Sequence, residues 1–457
     1  MSFTHLAGLA TRAIARFEIV LSVAVLVLFL VVAFIRPAHA MDIKTVKSPG
    51  GIEAWLVEEH SVPLIAMRFA FGGGSSQDPD GKEGLVNFIT AMMDEGAGDL
   101  TSEAYQEAQE DIAMRMSFED GRDTLYGNLE TLSVNRDQAM RLLKLALTKP
   151  RFDADATERI RGQLKANIAY AERDPDRVAS DAWFAAAFPG HPYGKRPTGT
   201  VDSIARITPA DLEQFRQRTF ARDNLKIVVV GDIDAATLGK VLDDVFGDLP
   251  AKARLTPVPE IALKNAGRVE ILPMDVPQSV AVFGGAGLKR KDPDFMAGFV
   301  LNHILGGGGF SSKLMEEVRE KRGLAYSVYS YLSPLDRSAV YFGSVATKNE
   351  SIKESLDVIR GELARIAKDG PSPEDLDNAK KYLTGSYALR FDTNSKIATQ
   401  LLGLLVEGFG VDYVKTRNAQ VEAVTLADIR RAASRFLDPE ALMVTVVGKP
   451  QGLAPKG

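Results

Sequence analysis

Leu85, Phe88, Ile89, Met92 and Met93 recur at three- and four-residue intervals, the spacing of one apolar stripe on an amphipathic helix that starts after Gly84. Asn87, Thr90, Ala91 and Asp94 stand at i, i+3, i+4 and i+7 and share its other face. Elsewhere the pattern is that of strands. Ile65 to Phe71 runs as a strand into a Gly-rich turn, and Leu225 to Val230 is a β-branched run closed by Gly231. Thr208-Pro209-Ala210-Asp211 opens the helix before that second strand, with Thr as N-cap and a carboxylate in the first turn, where it meets the helix dipole.

The same order of elements occurs twice. Thr425-Leu426-Ala427-Asp428 opens a helix that leads to Leu442 to Gly448, and the two copies are offset by a constant 217 residues, from Thr208 to Thr425 and from Gly231 to Gly448. The openings of the halves also match. The strand ending at Phe71 leads to Asp78-Pro79-Asp80 and a helix; Val280 to Phe283 leads to Asp292-Pro293-Asp294 and a helix from Ala297 to Leu305. Between the copies, 249–260 holds Pro250, Pro257 and Pro259 and reads as a linker. Strands and helices without strict alternation predict an α+β fold, with two alike domains, each a largely antiparallel sheet with helices packed on one face. Two such domains can close around a cavity.

Composition narrows the function. With 45% hydrophobic and 25% charged residues the chain is a folded protein and not a disordered one. Arg12 and Arg16 precede an uncharged apolar run from Ile19 to Ile35, and Ala38-His39-Ala40 follows, the signature of a secretory signal cleaved after Ala40. The run is long for a signal, so an uncleaved inner-membrane anchor facing the periplasm is the competing expectation. Removing the three arginines and one glutamate of this leader from 55 basic and 60 acidic residues leaves 52 against 59, an acidic balance that argues against nucleic acid as a partner. Cysteine is absent, which excludes disulfides, thiolate metal sites and cysteine nucleophiles. Beyond the leader only His60, His191 and His303 remain, none within helical ligand spacing of another; His191 is expected to stabilise its own Pro/Gly-rich loop, and His303, in an apolar helix beside Asn302, to be a satisfied core histidine.

A metal-binding pair on a helix needs i, i+4 geometry filled by imidazoles or carboxylates. Asn87 and Thr90 are poor ligands and Ala91 is none, so the residues alone describe a core helix with a small polar face. In the second half, Ser312 to Lys321 reads as a helix and Leu324 to Tyr331 as a strand after a break at Gly323. That corner can aim Arg319 and Tyr326 into one space, where a guanidinium can bind peptide carbonyls or a carboxylate and a phenol can stabilise an oxyanion. Taken as residue types, the same pair is also a surface Arg and a half-buried strand Tyr. Gly306, Gly307, Gly308 and Gly309 lack the Lys-Ser or Lys-Thr that a phosphate loop requires. A tight backbone passage or contact with an extended peptide are the two roles left.

Four stretches carry a resemblance to a known family. They are Gly84 to Gly96; Phe188-Pro189-Gly190-His191-Pro192-Tyr193-Gly194 with Pro197 to Thr200; Leu305 to Leu314; and Val318 to Val328. Over nearly the whole chain beyond the leader it resembles the pitrilysin/insulinase family of zinc peptidases, whose inverted zinc motif H-x-x-E-H stands where Asn87, Thr90 and Ala91 stand here. The family's third ligand, a Glu on a later helix, corresponds to the neighbourhood of Ala166-Asn167 on a helix over 156–172. The resemblance implies that Arg319 and Tyr326 match an Arg and Tyr that reach across from the second half to the substrate, and that Gly306–Gly309 is a substrate loop similar to that of the zinc-free subunit of mitochondrial processing peptidase.

The expected layout is a leader over 1–40, a first peptidase-like domain with a degenerate zinc motif over 41–249, a linker over 250–262 and a second peptidase-like domain with the Arg/Tyr pair over 263–457. The expected role is the zinc-free subunit of a heteromeric periplasmic metallopeptidase that degrades peptides, inactive alone and without a metal of its own. A homologous partner bearing H-x-x-E-H would carry the Zn2+, and the membrane would be touched only through the N-terminal segment if that is uncleaved. The alternative is a non-enzymatic structural or peptide-binding homologue, similar to the core subunits of respiratory cytochrome bc complexes.

Overall fold

Two sheets are built to one plan. In the first, strands β1 (Lys44–Lys47), β2 (Glu53–Glu58), β3 (Leu64–Gly72), β4 (Arg115–Asp120), β5 (Thr124–Leu132) and β6 (Leu225–Gly231) lie in the order β1-β2-β6-β3-β5-β4. In the second, β7 (Val269–Pro273), β8 (Gln278–Ala286), β9 (Ala325–Pro334), β10 (Ala339–Lys348) and β11 (Met443–Gly448) lie in the order β7-β11-β8-β10-β9. Only β2 with β6 and β7 with β11 run parallel; every other pair is antiparallel. Omitting β1, the two strand orders superimpose. The computed structural model describes residues 41–457, so the leader expected over 1–40 lies outside the described residues. Residues Ile43–Gly457 form one compact unit, and among the described residues no helix is long and apolar enough to cross a membrane.

The repeat extends to side chains. Phe69 pairs with Gly127 and Phe283 with Gly343 across equivalent strands, and in both a Cβ on the glycine would fall within 2.4 Å of the ring. Each aromatic lies over its glycine and fills the space a side chain would take. The N-caps are duplicated too. Thr208 with Asp211 and Thr425 with Asp428 each form a reciprocal capping box at the start of the helices Pro209–Thr219 and Leu426–Phe436.

Each half's own helices cover one face of its sheet, as the α+β reading expects. The other face is covered by exchange. Helix Pro175–Ala187 leaves the first half to pack on β8 and β11, and helix Asn394–Val406 leaves the second half to pack on β3 and β6. The central strands are therefore buried on both sides, which is why β3 and β6 are apolar along nearly their whole length instead of alternating. Ala179, Trp183, Ala187, Phe188 and Tyr193 form one apolar cluster with Val280, Val282, Phe342 and Met443 of the second sheet.

The hairpin tips meet beside this cluster. Tyr193 Oη donates to Asp123 Oδ2 at 2.7 Å and accepts from Arg337 N at 2.9 Å, and Asp336 N donates to Asp123 Oδ2 at 3.2 Å. His191, expected to stabilise its own loop, accepts from Tyr193 N through Nδ1 and also reaches the Pro259 carbonyl through Nε2 at 3.0 Å. It thus ties that loop to the segment between the halves.

Candidate functional site

The helix that begins after Gly84 is regular only over Leu85–Thr90. Tight i→i−3 bonds, Met92 N to Ile89 O and Glu95 N to Met92 O, carry the chain on, so Met92 and Met93 stay fully buried outside the helix proper. Its N-terminus is held by Asp78, whose Oδ2 accepts from Gly84 N at 2.8 Å and Oδ1 from Val86 N at 3.0 Å. Burial pushes the Asp78 carboxyl up from 3.8 to about 8, against the lowering effect of those two N–H groups. Between those two values the folded chain keeps a proton that the unfolded chain has lost. Stability contributed by this group is thus present at low pH and lost as pH rises towards 8. Urea midpoints measured at about pH 5 and about pH 8 are expected to fall with pH in the native chain, and Asp78→Asn is expected to flatten that difference.

The two positions that would hold zinc-binding histidines, Asn87 and Ala91, and the one that would hold the catalytic glutamate, Thr90, carry side chains that are engaged locally or have no donor atom. Asn87 Nδ2 donates to Asp120 Oδ1 on β4 at 3.2 Å, and Thr90 Oγ1 donates to the Asn87 carbonyl at 2.9 Å. Ala91 has no donor atom to offer. Ala166 and Asn167, on helix Ala154–Ala171, are exposed. The nearby acids are engaged: Glu158 pairs with Arg161 at 3.0 Å and Glu172 with Arg196 at 3.3 Å. Among the described residues no group of three or more His, Cys, Asp or Glu is placed to hold a metal ion. Zinc does not fit this helix. Metal analysis of the purified protein by mass spectrometry is expected to give well under one zinc per chain.

The other histidines have equally local roles. His60 is exposed and bonds Asp232 at 2.7 Å, which raises its proton affinity. His303, expected as a satisfied core residue, is instead half-buried and stacked on Tyr382 with ring centroids 5.0 Å apart. The chain widens at that point into a π-type turn over His303–Gly307, which swings the imidazole out of the core.

Arg319 and Tyr326 come together. The segment expected as an ordinary helix over 312–321 is π-type over Met315–Glu320, with Lys321 N bonded to Glu316 O five residues back. It delivers Arg319 beside the start of β9, the edge strand of the second sheet. The guanidinium carbon lies 5.1 Å from the Tyr326 ring centroid and 4.6 Å from that of Phe310. Tyr326 is 81% exposed and Phe310 69%. Two aromatic faces therefore hold one guanidinium at the surface, and Glu320 Oε1 sits 3.4 Å from it. Phe310 was not singled out from the sequence; its position directly after a run of four glycines was the available signal.

The glycine run has two jobs in this arrangement. Gly306 presses on β9, where a Cβ would come within 2.3 Å of Ser330 Oγ. Gly309 adopts φ +59° with open space around it and turns the chain so that Phe310 faces Arg319. Among the described residues no hydrogen bond or ion pair joins this group to helix Leu85–Thr90. A cavity of about 630 Å3 does lie between the halves, lined by Arg68, Arg115, Glu119 and Glu130 of the first and by Thr399 and Leu402 of the second.

Known proteins give these features a setting. The family model described as insulinase (peptidase family M16) matches residues 56–200, and that described as peptidase M16 inactive domain matches 206–383. A Helicobacter pylori protein named non-peptidase homolog YmxG is 29% identical over 375 residues, 81% of this chain and 86% of that protein. A Bacillus subtilis protein named uncharacterized zinc protease YmxG is 26% identical over 362 residues, 78% and 86% of the two chains. The crystal structure of a peptidase M16 inactive domain from Pseudomonas fluorescens has a TM-score of 0.84 at 28% identity, covering 91% of this chain and 99% of that one. With the duplicated fold in place, and Asn87 and Ala91 at the two zinc-ligand positions and Thr90 at the catalytic-glutamate position of the motif, the chain belongs to the M16 (insulinase) peptidase family as a zinc-lacking member.

Proposed function

We propose that this chain is the zinc-free, substrate-holding subunit of a two-chain periplasmic metallopeptidase that degrades peptides. A homologous partner bearing H-x-x-E-H would contribute the metal chemistry, and this chain would contribute Arg319 and Tyr326 to the partner's site. The observation that carries the reading is an asymmetry. The two zinc-ligand slots hold an amide and a methyl group and the catalytic-glutamate slot a hydroxyl, yet Arg319 stays clamped between Phe310 and an exposed Tyr326 on an open sheet edge. An exposed aromatic–cation–aromatic stack adds little to the stability of a single chain, so a role at a surface that meets another molecule accounts for it better.

The chemistry expected of the pair is modest and specific. The guanidinium would bind a substrate carbonyl or carboxylate by a planar two-point contact, and the phenol would donate to the oxygen on which charge develops. Within the Gly306–Gly309 run, the accessible glycines Gly307 to Gly309 would let an extended peptide backbone approach, Gly306 being buried against β9. Export rests on Arg12, Arg16, the apolar run from Ile19 to Ile35 and Ala38-His39-Ala40. The test is to isolate the protein from its native host with whatever binds it, then assay peptide hydrolysis by the lone chain, the partner and the mixture. Activity restored only in the mixture supports the reading; hydrolysis by the lone chain, or a partner at full activity without it, refutes it.

The name of the Helicobacter relative favours a second reading, a homologue with no enzymatic role. A copurified complex that cleaves no peptide under any pairing would favour that alternative.

A further inference from the structure

A cavity of about 380 Å3 lies between helix Phe295–Asn302, β9, and the helices Asn394–Val406 and Tyr413–Ala423. Its walls are aromatic and its charges are basic. Arg290, Arg390 and Arg417 line it, and Glu407 is the single carboxylate among the lining residues. That carboxylate is already engaged by Arg290 Nε at 2.8 Å, while Arg290 Nη2 donates to Tyr413 Oη at 2.9 Å.

Arg417 is the unusual member. It is 5% exposed, and its Nη1 donates to the Leu383 carbonyl at 2.7 Å and to Asn418 Oδ1 at 3.0 Å. Its guanidinium carbon lies 4.5 Å from the Tyr387 ring centroid and 5.5 Å from that of Phe299. Among the described residues neither Arg417 nor Arg390 forms an ion pair with a carboxylate. Burial lowers the proton affinity of Arg417, with a smaller lowering from the like charges of Arg390 and Arg290 set against the opposing effect of Tyr387 and Tyr413. A buried cation without a counter-ion is costly, and this one stands with two further cations around a space large enough for a small ligand.

We propose that this cavity binds an apolar or aromatic carboxylate, the chemistry found at the C-terminal residue of a peptide, with Arg417 and Arg390 on the carboxylate and the aromatic walls around the side chain. A bare inorganic anion would satisfy the guanidiniums but leave those walls empty. A neutral apolar group would fill the walls but leave the charges unpaired. The carboxylate with an attached ring satisfies both, and a guanidinium recognises it by two parallel N–H···O bonds. The site lies within one chain, so the assignment stands or falls independently of any partner subunit.

The experiment is calorimetric titration of the full chain with the tripeptide Ala-Ala-Phe as its free acid, with the same tripeptide amidated at its C-terminus, with N-acetylphenylalanine and with inorganic phosphate. The free acids are expected to bind, and the amide at least about tenfold more weakly. Arg390→Ala, at an exposed position that leaves the fold alone, is expected to weaken the acids by about tenfold, and Arg417→Lys by more, because lysine keeps the charge but loses the planar fork. A tripeptide that outbinds N-acetylphenylalanine assigns the site to peptide ends; equal binding assigns it to free acids of the same chemistry. Equal affinity for acid and amide, phosphate bound as tightly as the acids, no binding at millimolar concentration, or an Arg390→Ala chain with native affinity would each overturn the proposal.

Discussion

Tyr326→Phe combined with Arg319→Ala is expected to lower kcat/KM of the reconstituted two-chain enzyme by about 10²–10³-fold, with assembly and thermal stability unchanged. The magnitude is that of removing one preorganised donor from a developing oxyanion, and the phenol is the group asked to supply it. The split between the two substitutions carries the mechanism. Tyr326→Phe alone keeps the ring over Arg319 and removes only the hydroxyl, so its loss is expected in kcat. Arg319→Ala removes a contact the substrate makes in the ground state as well, so KM is expected to rise. Phe310 adds a control: Phe310→Ala leaves both polar groups in place but frees the guanidinium on one side, and a smaller loss is expected. Stopped-flow or steady-state assays on one fluorogenic peptide would measure all of these. Native kinetics in the double variant would remove this chain's assigned part in catalysis.

The largest expected effect on stability belongs to Trp183→Ala. Trp183 is fully buried in the exchanged helix, its Nε1 donates to the Met443 carbonyl at 3.1 Å, and its ring packs edge-on against Phe342 with centroids 5.0 Å apart. Truncating a buried tryptophan costs about 3–5 kcal/mol, and the orphaned Met443 carbonyl adds about 1 kcal/mol or more. Because these partners belong to the second sheet while the residue belongs to the first half, the loss falls on the contact between halves. Denaturant unfolding is therefore expected to lose its single transition, the two sheets melting at separate midpoints. A single cooperative transition, shifted by less than about 1 kcal/mol, would show that the exchanged helix does not couple them.

The two predictions probe different kinds of information. That Arg319 and Tyr326 lie side by side was legible because they stand seven residues apart on either side of a glycine break, so one local corner positions both; the substrate role proposed for them comes from the family resemblance and not from that spacing. Their third member, Phe310, was missed because its approach depends on the π-type turns before and after it, and no residue pattern distinguishes those from an α-helix. The same limit explains the helix after Gly84. Apolar spacing reports which side chains are buried, and Met92 and Met93 are buried, but it does not report whether the backbone closes i→i−4 or i→i−3 bonds. His303 was read as a core residue for the same reason.

The sequence by itself determined the duplication, the α+β class, the strands β6 and β11 with their capped helices, and the chemical emptiness of Asn87, Thr90 and Ala91. All of these follow from residue type and short-range periodicity, and each concerns contacts within about one element. What only the tertiary structure decided is which surfaces face each other. The crossing of Pro175–Ala187 and Asn394–Val406 onto the opposite sheets, the meeting of Asp123, Tyr193 and Arg337, and the gathering of Arg290, Arg390 and Arg417 around one cavity all join residues tens to hundreds of positions apart. The hydrophobic effect that drives such contacts is non-directional, so an apolar helix face announces that it will be covered but not by what. The continuous apolar runs of β3 and β6 did record that both their faces are buried; the identity of the second cover was settled by packing alone.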